Sequence, residues 1–106
     1  VNQHWREKVT KAKVKPTSVA ASITVERVQT GVRIEKRMLK VLKALAEYYD
    51  LSLGDLLEGI VLHAFEGKCA LDAEALQRVG TLKKIYNMDY DARASHRLVE
   101  QTSNQD

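Results

Sequence analysis

The stretch Val28-Gln29-Thr30-Gly31-Val32-Arg33-Ile34 constrains the fold more than any other part of the chain. It alternates: Val28, Thr30, Val32 and Ile34 fall on one face of an extended segment, and Gln29, Gly31 and Arg33 on the other. A helical pattern begins almost at once, near Lys36. A strand leaves backbone N–H and C=O groups to be paired, and its apolar face needs cover. A hairpin would settle both needs within one chain. Yet between Ile23 and Ile34 there is no Asn-Gly or Asp-Gly turn, and Gly31 sits inside the alternating run rather than between two runs. The remaining solution is the same stretch of a second molecule, paired antiparallel about a two-fold axis. An isolated two-stranded ribbon is marginal, so its apolar face must rest on helices from both chains. The expectation is an obligate homodimer. The preceding residues 19–27, VAASITVER, are β-prone and either lead into this strand or extend it.

Helical spacing predicts a first helix from Lys36 to Tyr49, with Leu39, Leu42, Ala46 and Tyr49 on one stripe and Leu45 widening it. Asp50 stands where that helix must stop. A second helix has the clearest start signal in the chain. Ser52 is a natural N-cap, Asp55 follows three residues later, and Leu51 and Leu56 can staple the turn. Its apolar residues are Leu53, Leu56, Leu57, Ile60, Val61, Ala64 and Phe65, and Gly67 marks its end. Residues 70–106 read as two further helices. One starts near Asp72 and ends near Asn87; the other starts near Asp89 or Asp91 and carries Ala94, Leu98 and Val99. The end, QTSNQD, reads as frayed. The expected class is therefore mainly α, divided into a basic flexible arm (1–18), a strand-plus-two-helix domain (19–68) and a C-terminal helical extension (69–106).

Charge is split along the chain. Residues 1–43 hold eleven Lys/Arg against three acids, a balance of +8, and the remainder holds six bases against eleven acids, a balance of −5. A basic front half suggests a polyanion partner, most often nucleic acid. In the arm, Lys11, Lys13 and Lys15 alternate, so an extended arm presents all three to one side and can follow a phosphate backbone. Trp5 is more readily explained by packing on its own protein than by stacking on a base.

A strand, a helix, a short loop with Ser and a second helix resemble the ribbon-helix-helix DNA-binding proteins of the Arc and MetJ type. The resemblance is carried by TGVRI, LKVLKALAEYY and DLSLGDLLEGIV, between Gln29 and about Phe65. It implies that the paired strands enter the major groove of double-stranded DNA and read base edges through Gln29, Gly31 and Arg33. Arg can bind guanine O6 and N7 through two donors, and Gln can pair with adenine N6 and N7. Gly31 departs from the pattern, because it offers no side chain at the centre of the reading face. The resemblance further implies a phosphate held at the start of the second helix by Ser52, Leu53 and Gly54, where free N–H groups and the positive dipole end meet the anion. Asp55 opposes this with its charge. Lys36 is the further phosphate contact expected from the first helix. Val28, Thr30, Val32, Ile34, Leu39, Leu42, Leu57 and Val61 are then the dimer core. The implied role is a transcriptional regulator or repressor.

Other classes are disfavoured. No nucleophile–base motif or Gly-rich phosphate loop occurs, so neither catalysis nor a cofactor is expected. His4, His63, His96 and Cys69 show no metal-ligand spacing. The single cysteine rules out an intrachain disulfide and suits a reducing cytoplasm, with a nucleoid location following from the DNA reading. No apolar run approaches the ~20 residues that span a bilayer, and no signal peptide is visible. The chain opens on Val1 rather than Met, so residues upstream are left open. The alternative function is a protein-interaction module, an antitoxin-like dimer gripping a second protein through residues 70–106.

Overall fold

In the computed structural model, residues 22–101 are described; the basic arm, with Trp5, Lys11, Lys13 and Lys15, lies outside them. Residues 22–35 carry neither helix nor strand. Three α-helices follow: α1 (Lys36–Tyr48), α2 (Leu53–Phe65) and α3 (Ala73–Ile85). The described chain is thus mainly helical.

Each helix starts on a side chain that accepts from its first turn. Glu35 accepts from the Met38 N–H (3.0 Å), Ser52 from Asp55 (3.0 Å) and Asp72 from Ala75 (2.9 Å). Such caps are worth about 1 kcal/mol apiece for the Ser and Asp types. Each helix also ends in the same way, on a left-handed residue just past its last turn: Asp50 (φ 60°), Gly67 (φ 72°) and Asn87 (φ 57°). The next residue donates back to the last turn, Leu51 to the Ala46 carbonyl, Lys68 to His63 and Met88 to Lys83. This is the Schellman arrangement, in which orphan carbonyls find partners as the chain turns away.

The core is built around α1, which packs on both α2 and α3. Leu45, Ala46, Tyr49, Leu56, Ala70 and Ala75 are buried together, with Leu42, Leu51, Ile60, Leu71, Val79 and Leu82 packed against them. The stripe of α1 is turned relative to the expected one. Val41 is buried, whereas Leu39 and Leu42 are only half covered. Leu39 lies off the arc centred on Leu45 and Tyr49, and it is not among the residues packed on the core cluster.

The second helix expected in the tail is corrected to a single 3₁₀ turn at Ala92–Ala94. The Asp91 carboxylate takes the Arg93 N–H, and His96 adopts a left-handed φ of 64°, which breaks any helical path to Leu98. Three dispersed apolar residues are also too few to anchor a helix by burial, and Val99 remains 91% exposed. No helix among the described residues is long and apolar enough to cross a membrane.

Candidate nucleic-acid interface

The exposed segment leading into α1 holds the expected reading face. Gln29, Gly31 and Arg33 are all solvent-exposed. A Cβ added at Gly31 would meet nothing within 4 Å, so neither packing nor backbone geometry within the chain demands glycine there. The opposite face is just as bare. Val28 and Val32 are 80% and 74% exposed, and Thr30 is exposed too. Farther upstream, Ile23 and Val25 stand in solvent as well. Ile34, Leu39, Leu42 and Leu57 are half-buried, and Val61 is exposed beside Leu62 and Phe65. None of the eight expected dimer-core residues is buried within one chain.

The arginines of this region are held by acids from elsewhere. Arg27 reaches α2, where Nε and Nη2 donate to the two carboxylate oxygens of Glu58 at 2.9 and 2.7 Å. Arg33 forks onto Glu100 in the same two-point manner, with Nε donating to Oε1 at 3.1 Å and Nη2 to Oε2. Hydrogen bonding and charge from Arg33 hold the Glu100 carboxyl below its ordinary range. Leu98, Val99, Glu100 and Gln101 thereby line one side of a cleft of about 770 Å³, whose other side is formed by Val32 to Glu35 and Arg37.

At the root of the segment, polar contacts are denser. Tyr90 Oη donates to Glu35 Oε1 at 2.5 Å, and Arg37 Nε donates to Glu35 Oε2 at 3.0 Å. Arg37 Nη1 also donates to the Asn87 carbonyl (2.8 Å) and to Asp89 (3.2 Å). Burial works against ionisation of Glu35, yet the bonds from Tyr90, Arg37 and the Met38 N–H prevail and hold its carboxyl at about 2. Burial, then the Glu35 hydrogen bond, pushes the Tyr90 hydroxyl up to about 12. Arg37 is therefore a clamp between the start of α1 and the chain after α3, and not a solvated surface cation.

The expected phosphate site lies at the start of α2. Ser52 and Gly54 are exposed and Leu53 is half-buried. Helix geometry leaves the first N–H groups without intrahelical acceptors. The Ser52 hydroxyl is occupied by the Asp55 N–H, while the Asp55 carboxylate lies 3.7 Å from Arg27, which offsets its charge. Lys36 is exposed at the first turn of α1. Lys40 stands over the Tyr86 ring at 5.7 Å, and Lys43 is exposed one turn on. Among the described residues no three His, Cys, Asp or Glu side chains gather as a metal site.

No known protein family, curated protein or solved structure matches the chain. Sequence reasoning missed Glu58 and Glu100, the acids that engage the front segment, and Asp89 and Tyr90, which engage the start of α1. Their only signal was the acidic balance of the rear half, which names no pairs. The structure brings Gln29, Gly31 and Arg33 onto one exposed segment. Arg27, at the upstream end of that region, ties it to Asp55 on α2.

Proposed function

We propose that the chain is a ribbon-helix-helix DNA-binding protein, acting on double-stranded DNA as a homodimer and serving as a transcriptional regulator. The observation that carries this reading is the exposure of Val28, Thr30 and Val32, three of the four residues on the apolar face of the alternating stretch Val28–Ile34, with Ile34 only half covered. Exposed apolar area of that kind calls for a partner surface. A second copy supplies both missing things at once: backbone partners for Val28–Ile34 and an apolar floor from Leu39, Leu42, Leu57 and Val61. Pairing the strands in this way leaves Gln29, Gly31 and Arg33 on the outer face of the ribbon.

In the groove, Arg33 would bind guanine through its two parallel donors and Gln29 would bind adenine, each good pair being worth about 1–3 kcal/mol of discrimination. The starts of both α2 helices and Lys36 would grip phosphates on either side, with the arm lysines adding charge that acts independently of base sequence. Binding should weaken steeply with salt, because each neutralised phosphate releases counterions. The deciding experiment is sedimentation equilibrium on the full chain, followed by binding of a selected duplex against a mixed-sequence one. A monomer at all concentrations would remove the ribbon. Equal loss on both duplexes for Arg33→Ala would remove the base-reading role.

A second reading is favoured by the exposed apolar residues Leu76, Ile85 and Val99 in the C-terminal extension. It keeps the dimer and gives residues 70–106 a second protein as partner, as in an antitoxin. Substituting these three by Ser should abolish capture of such a partner and leave DNA binding in place.

A further inference from the structure

Arg33 differs from the other arginines near it in where its acid comes from. Arg37 is clamped at the root of α1, and Arg27 is tied to the neighbouring α2. Glu100, by contrast, lies 67 residues along the chain from Arg33. Both side chains of this pair stand largely in water, 83% and 65% exposed. Packing does not lock the pair, and nothing about it contributes to the helical core. Its geometry is nonetheless specific. Nε and one Nη of Arg33 are both spent on the two oxygens of one carboxylate. Those donors are the ones a guanine edge or a phosphate would take.

We propose that Glu100 is an intramolecular competitor for the acceptor that Arg33 reads, so that the C-terminal segment Leu98–Gln101 is a latch which DNA must displace. The inference rests on the DNA-binding reading above and adds a regulatory element to the same face. The carboxylate engages the same fork of donors that the base edge would need, and adds a negative charge that the guanine edge lacks. An exposed ion pair is weak and screened by salt, so a duplex can open the latch. Electrostatic attraction to any stray polyanion is reduced while it is closed.

The test uses the full chain and a mixed-sequence DNA duplex, with fluorescence anisotropy at two salt concentrations. Circular dichroism first confirms that the variants keep their helices, as expected for exposed positions. Glu100→Gln should bind about two- to fivefold more tightly than the unaltered protein, the range an exposed pair can contribute. The gain should shrink at the higher salt and vanish in an Arg33→Ala background. A gain that persists with Arg33→Ala would overturn the latch, because the acid would then act through general charge. No gain for Glu100→Gln while Arg33→Ala weakens binding would also overturn it, and would leave the DNA reading standing. Absence of duplex binding by every variant would bring down the DNA reading and the latch together.

Discussion

Residues 22–34 and the three-helix body treat the same side chains in opposite ways. In the body Val41, Leu45 and Leu56 are 5%, 1% and 0% exposed, while Val28 and Val32 of the front segment are mostly in solvent. Every helix of the body is capped at both ends by its own residues. The segment has no backbone ladder, and its two arginines take acids from distant positions. The helices pair their backbone and cap their ends within one chain, and the segment has no such pairing, while bare apolar side chains stand on both, Phe65 and Ile85 on the body as well as Val28 and Val32 on the segment. Under the proposed dimer, a second molecule would supply the segment with the backbone partners it lacks.

The largest expected effect sharpens the body's side of the contrast. Leu56→Ala removes a fully buried side chain and should cost about 2–5 kcal/mol in urea unfolding. Val32→Ser tests the other side. It should lower dimer affinity by about 1.5–3 kcal/mol per chain, read by sedimentation equilibrium, with helical circular dichroism retained. Loss of helix in Val32→Ser would break the comparison, since the segment would then belong to the body's core. Arg33→Ala should cost about 1–3 kcal/mol on a selected duplex and less on a mixed one, by anisotropy titration.

Acid should separate the two regions as well. The Glu35 carboxyl sits at about 2 in the folded chain against an ordinary 4.5. A depressed carboxyl stabilises fully above its ordinary value and loses that contribution as pH falls towards 2. Thermal melts between pH 7 and 2 should show this loss, and Glu35→Gln should flatten it. The smallest effect is expected at Gly31. Gly31→Ala meets open space, so stability should move by less than about 0.5 kcal/mol. A large drop in duplex affinity for the same variant would mean that the ribbon approaches the bases too closely for a methyl group.

Much of the body was legible in the chain. Ser52 and Asp72 announced their helices, and Asn87 marked an end, because caps are local and written in a few adjacent residues. The cap of α1 was harder to see, since Glu35 is an uncommon N-cap, chosen here along with its bonds to Arg37 and Tyr90. After Asp91 the apolar spacing does not decide the fold, because the Asx-type turn closed by Asp91 and Arg93 gives only one 3₁₀ turn where a helix start signal stands. Of the interface, the alternation of Gln29, Gly31 and Arg33 was readable; exposure does not single these residues out, because Val28, Thr30 and Val32 between them are exposed as well. The pairing of Arg33 with Glu100 was not, for a contact between residues 67 positions apart depends on the whole path between them.

The knot of Glu35, Arg37, Asp89 and Tyr90 has a mechanical meaning. It fastens the first turn of α1 to the chain beyond α3, at the single place where the front segment leaves the body. The segment is a lever, and this knot is its fulcrum. Tyr90→Phe loosens the fulcrum while every side chain along the lever stays the same. A change at Tyr90 therefore reaches the segment only through its attachment, while Gln29, Gly31 and Arg33 keep their own chemistry.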